Sequence, residues 1–189
     1  MFQHYIIKTS LLPVCCAAKS SVCTAPVRRI LFSFALLVVS LESYAQERLP
    51  KIILKDMEGK TVQTDTIANN GKPLLLAFFA TWCKPCNREL KAIAELYDEW
   101  QQETGVRIIA VSVDQAQNIN KVKPLVDQNG WQYDVLLDPN SELRHALGIQ
   151  LIPYTVLLDG QGNIVYRHNG YTDGAELELY EKIKEIASK

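Results

Sequence analysis

The chain has 189 residues, 48% of them hydrophobic and 22% charged, with a net charge of −1. That length holds one domain and a leader. The near-neutral balance excludes the basic footprint of a nucleic-acid-binding protein, and composition alone assigns no function.

The first 45 residues differ from the rest. Arg28 and Arg29 precede an apolar run over 30–41, followed by Ser43, Tyr44 and Ala45. A basic pair, about a dozen apolar residues and small residues at the third and last positions form a secretory signal cleaved before Gln46. The run falls short of the roughly 20 residues of a membrane span; an uncleaved N-terminal anchor is the alternative. The 27 residues before Arg28 are long for such a signal, which a translation start near Val27 would explain. Cys15, Cys16 and Cys23 precede the apolar run, so none fits a lipoprotein cysteine. The expected organisation is therefore a leader over 1–45 and one domain over 46–189.

Four of the 20 basic and one of the 21 acidic side chains lie in the leader, which leaves the mature chain at −4 with only Cys83 and Cys86. Its elements begin with a hairpin, strands at 51–54 and 61–64 around Glu58-Gly59-Lys60. A loop at 69–73 leads to the continuous apolar run 74–80, a strand buried on both faces. Leu90, Ile93, Ala94, Leu96, Tyr97 and Trp100 repeat at helical spacing and predict a helix over 84–103, ended by Gly105. A β-branched strand follows over 106–113. Next come a helix over 117–129 made irregular by Pro124, a strand at 133–137 and a short helix at 141–147 ended by Gly148. Strands at 155–158 and 163–168 form a second hairpin, and an amphipathic helix over 173–188 closes the chain. This order predicts an α/β fold, a mostly parallel sheet flanked by helices and made mixed by the hairpin.

Trp82-Cys83-Lys84-Pro85-Cys86 falls where the buried strand hands over to the helix. Helix N-terminal N–H groups and the helix dipole stabilise a thiolate. Cys83, at the helix edge, is the expected exposed nucleophile, and Cys86, one turn inward, the resolving thiol. Pro85 is tolerated in the first turn, Lys84 adds positive charge, and Trp82 is expected to shield one side of the sulfurs. A disulfide closing so short a loop constrains the unfolded chain little, so chemistry explains the pair better than stability. Zinc needs four ligands; the mature chain adds only His145 and His168 to the two cysteines, so no metal is expected. The redox-active disulfide needs no further cofactor.

The segment Phe79-Ala80-Thr81-Trp82-Cys83-Lys84-Pro85-Cys86 resembles the active site of the thioredoxin superfamily, and is most similar to its TlpA/ResA branch of exported bacterial thiol–disulfide oxidoreductases. The likeness covers about 52–186. It implies a thioredoxin-like fold with an N-terminal β-hairpin extension. Leu151-Ile152-Pro153-Tyr154-Thr155 occupies the place of the family's cis-proline, which implies that the Ile152 backbone pairs with an extended partner segment. Glu89, three residues after Cys86, matches a glutamate that the branch uses to tune its thiols and move protons. Ala77 departs from the family, standing where thioredoxins keep a buried aspartate. Glu89-Leu90-Lys91 lacks the proline that often kinks the helix there. His145 and His168 match no catalytic position.

The resemblance thus implies a periplasmic enzyme that reduces or exchanges disulfides in exported proteins. The resemblance suggests apocytochrome c haem-site thiols as one client class, and implies a membrane electron donor if the protein acts as a reductase. A thioredoxin-fold peroxidase is the enzymatic alternative, although its threonine belongs three residues before the cysteine, where Ala80 stands. A metal-binding or chaperone module is the non-enzymatic one.

Overall fold

The computed structural model describes residues 46–188, and the leader assigned to 1–45 lies outside the described residues. Strands β1 (Ile53–Asp56) and β2 (Thr61–Gln63) pair antiparallel as the expected hairpin. Its turn passes through Gly59 at φ 82°, a conformation open to glycine because it has no Cβ. Asp56 fastens the turn by accepting the N–H groups of Glu58 and Lys60.

The apolar run forms β3 (Leu74–Phe79), buried at every position as read. Helix α1 (Lys84–Thr104) carries the chain to β4 (Arg107–Ser112), parallel to β3. A 3-10 turn (Ile119–Lys121) and helix α2 (Val122–Asn129) lead to β5 (Asp134–Leu137), parallel to β4. The irregularity expected from Pro124 is this 3-10 start. Pro124 itself stands in the first turn of α2, where its missing N–H has no intrahelical partner to lose. Helix α3 (Glu142–Ala146), strands β6 (Tyr154–Leu158) and β7 (Ile164–Asn169), and helix α4 (Ala175–Ala187) complete the order.

The sheet runs β2-β1-β5-β4-β3-β6-β7. It is mixed, but not mostly parallel as the alternation of elements predicts. Only β3–β4 and β4–β5 are parallel; β1–β2, β1–β5, β3–β6 and β6–β7 are antiparallel. The cause lies in the connection after β5. A parallel return usually runs through a crossover helix. The five residues of α3 rise only about 7–8 Å, so the chain re-enters from the end of the sheet where β5 finishes. The N-terminal hairpin joins the same sheet through β1 and β5, extending it by two strands.

Helix α1 buries Leu90, Ile93, Tyr97 and Trp100, the stripe its sequence spacing predicts. Gly105 ends it at φ 69°, its N–H bonded to the Gln101 carbonyl at 2.9 Å. Trp100 is fully buried and stacks on Tyr180 of α4 with ring centroids 5.0 Å apart, holding the last helix to the first. Replacing Trp100 with alanine removes that stack and leaves a cavity. Trp100→Ala is expected to lower unfolding free energy by about 3–5 kcal/mol in urea titration; a loss below about 1 kcal/mol would show that α4 is not anchored there.

Candidate active site

Strand β3 ends at Phe79, and α1 begins at Lys84. Cys83 is the N-cap residue of α1, with extended backbone dihedrals (φ −84°, ψ 94°). Its Sγ accepts the Cys86 N–H at 3.3 Å, so the sulfur sits where the helix presents unpaired donors. Cys83 and Cys86 are joined in a disulfide with Cα atoms 5.3 Å apart. Lys84 is exposed and Pro85 half-buried in the first turn, as their places in the motif require.

One expectation about exposure needs correction. Cys83 is only 5% exposed, not the open nucleophile that the helix edge suggests; Cys86 at 0% is still the less accessible of the two. Trp82 is 66% exposed beside the buried sulfurs in sequence. It borders a groove with Asn118, Lys121, Pro124 and Leu125.

The Ile152–Pro153 peptide is cis, as the resemblance implies. Tyr154 pairs with Phe78 across β6 and β3, so one step further Pro153 stands level with the end of β3, where the chain turns toward Cys83. The Pro153 carbonyl is taken by the Gly170 N–H at 2.8 Å. Ile152 is half-buried, and its neighbour Leu151 is 66% exposed, leaving an apolar edge beside this loop.

Glu89 lies three residues beyond Cys86 on α1 and is 4% exposed, unlike Glu95 and Glu99 on the open face. Its Oε2 has no hydrogen-bond partner. Burial raises its pKa from 4.5 to about 8, with a smaller contribution from the negative charge of Glu176 on α4. A carboxyl so placed can take up and release a proton near neutrality. Nearby Tyr133 donates its hydroxyl to the Leu90 carbonyl at 2.7 Å, so a buried tyrosine from the turn before β5 braces the helix next to Glu89.

The structure also brings in a residue that the sequence reading left out. Asp114, two residues past β4, is fully buried and accepts the Thr81 N–H and hydroxyl. Its only sequence signal is an acidic residue closing an apolar strand. His145 is exposed and His168 half-buried against Tyr166, both away from the motif in sequence and in sheet position.

Residues 45–167 match the AhpC/TSA family. Thiol-disulfide oxidoreductase ResA from Bacillus thuringiensis (strain Al Hakam) is 33% identical over 133 residues, 70% of this chain and 74% of that protein. Thiol-disulfide oxidoreductase ResA from Halalkalibacterium halodurans is 31% identical over 142 residues, 75% of this chain and 76% of that protein. The solution structure of an uncharacterized thioredoxin-like protein from Porphyromonas gingivalis superposes with a TM-score of 0.68 at 57% identity, covering 74% of this chain and 92% of that one.

The raised Glu89 pKa has a consequence for stability. The unfolded chain releases this proton near 4.5, the folded one only near 8. Between those values the native state binds more protons, so stability falls as pH rises through the window. Measured by denaturant unfolding with the disulfide intact, Glu89→Gln should lose that slope. It should gain on the parent by on the order of a few kcal/mol between the two ends. Parallel pH profiles for the two proteins would refute the assignment.

Proposed function

We propose that this chain, which belongs to the AhpC/TSA family and is a thiol–disulfide oxidoreductase, reduces or exchanges disulfides of exported proteins through a Cys83–Cys86 dithiol/disulfide cycle. The observation that carries the reading is a disulfide whose outer sulfur caps the first helix and whose inner sulfur is wholly buried.

In the reductive direction, the Cys83 thiolate attacks one sulfur of a client disulfide. A Cys83–client bond forms, the client S–S bond breaks, and one client sulfur leaves as a thiolate. Cys86 then attacks the Cys83 sulfur, forming the intramolecular disulfide and releasing the second client sulfur. Two electrons pass from the dithiol to the client. Glu89 accepts the Cys86 proton as that thiol attacks, and the released client thiolates take up protons. A membrane-bound dithiol donor returns two electrons to close the cycle. The reverse sequence oxidises a client.

Trp82, Ile152 and Pro153 are the client-contact residues in this reading. The Ile152 backbone pairs with an extended client segment, beside the exposed Leu151. Lys84 and Pro85 support the pair by charge and by helix geometry. The signal in 28–45 directs the domain to the periplasm, with tethering by an uncleaved apolar run as the alternative. Apocytochrome c haem-site thiols are the client class that the resemblance supports. The peroxidase alternative gains nothing from the site, because the Thr81 hydroxyl is engaged by Asp114.

In an insulin-reduction assay with excess dithiol, the parent should turn over repeatedly. Cys83→Ser should abolish turnover, and reduced Cys86→Ser, mixed with insulin after the free dithiol is removed, should accumulate a client mixed disulfide visible on a non-reducing gel. Failure of reduced Cys86→Ser to trap that adduct in the absence of free dithiol would rule out the two-thiol cycle. Direction is read from the reduction potential of the pair. A value near roughly −270 mV marks a reductase, and one near roughly −120 mV a disulfide donor.

A further inference from the structure

Asp114 is fully buried, and none of the ion pairs among the described residues includes it. Burying a carboxyl without a counter-charge is costly unless donors satisfy it. Here both oxygens accept. Oδ2 takes the Thr81 N–H at 2.7 Å and the Ser112 hydroxyl at 3.0 Å, and Oδ1 takes the Thr81 hydroxyl at 2.7 Å. Two of the three donors therefore belong to one residue, two positions before Cys83.

Thr81 is also held from the other side, since Asn87 Nδ2 of α1 donates to its carbonyl at 3.2 Å. All three of its polar groups are thus fixed, two to the end of β4 and one to the helix. The pairing of β3 with β4 is already complete without them, because the Val113 N–H reaches the Phe79 carbonyl at 2.9 Å. What the Asp114 bonds add is a fixed path for residues 80–83. The Cys83 N–H continues that path with a bond to the Ala80 carbonyl at 3.0 Å.

We propose that Asp114 is a positioning residue for Cys83: by clamping the Thr81 peptide and hydroxyl, it sets the short turn that holds the Cys83 sulfur over the N-terminus of α1. This inference rests on the reading of Cys83 as the nucleophile. The sulfur gains from the helix only while it stays near the Cys86 N–H. Released from Asp114, the turn lets the sulfur move off those donors, and the thiolate loses stabilisation. A pure charge effect has the opposite sign. Removing a buried negative group near a thiolate would favour the thiolate.

The test measures alkylation of Cys83 by iodoacetamide as a function of pH in the Cys86→Ser background. Asp114→Asn and Thr81→Val are compared with that parent, each checked for folding by circular dichroism. The expected result is a pH profile displaced upward and alkylation near neutrality slower by about tenfold. Thr81→Ser, which keeps both donors, restores what Thr81→Val loses. Folded variants with an unchanged or downward-displaced profile overturn the inference. If Asp114→Asn does not fold, Thr81→Val decides alone, since it removes one bond at a half-buried position. A parent Cys83 no more reactive than free cysteine overturns the nucleophile reading and the inference with it. Reactive parent and indifferent variants overturn the inference alone.

Discussion

The site depends on one junction, the end of a fully buried strand meeting the start of an amphipathic helix. Strand β3 has no exposed residue, so its path is fixed by packing on both faces and by pairing with β4 and β6. Helix α1 is fixed by its buried stripe and by α4. Two rigid elements joined by a short turn leave the residue at the helix N-cap little freedom. That residue is Cys83. The helix offers it unpaired N–H groups, and the protein uses one of them, from Cys86, on the sulfur itself.

Two buried carboxyls flank this junction, and their surroundings give them opposite characters. Asp114 is surrounded by donors and makes three hydrogen bonds, which suits a group that holds its neighbours still. Glu89 is buried almost as deeply, but one of its oxygens has no partner, and Glu176 adds a like charge. Desolvation without compensation favours the protonated form. In the proposed cycle the same residue chemistry thus serves as an anchor beside Cys83 and as a proton site on the helix that carries Cys86.

Much of this was legible in the sequence because local rules and tertiary packing agree. The run 74–80 could only be a doubly buried strand, and Gly105 stops α1 where the apolar spacing stops. The Trp-Cys-x-Pro-Cys segment placed both sulfurs at the helix start, and Glu89 follows Cys86 by three residues on the same helix. The cis peptide at Pro153 came from the family likeness, since nothing in Leu151-Ile152-Pro153 alone separates cis from trans. Other features were not legible because they depend on distant partners. Strand direction at β6 goes with a connection whose helix, α3, has only five residues, which alternation of elements does not report. Asp114 looked like any acidic strand terminus, because its meaning comes from Thr81, 33 residues earlier. The near-burial of Cys83 is likewise a property of the surrounding loops rather than of its own position.

The asymmetry of the two sulfurs constrains which disulfides this site can meet. Cys86 has no exposed surface, so it can react only with the sulfur of Cys83. Cys83 is 5% exposed, while Trp82 and Leu151 of the proposed contact surface are largely exposed. In-line attack requires the client sulfurs to line up with the Cys83 sulfur, which a disulfide deep in a folded core cannot do. In the proposed cycle an extended segment can, with its backbone paired at Ile152 and its sulfur at Cys83. On that proposal, selectivity for unfolded or loosely structured clients follows from access alone. It needs no specific pocket for the client side chain, and the burial that restricts entry also keeps adventitious thiols from draining the pair.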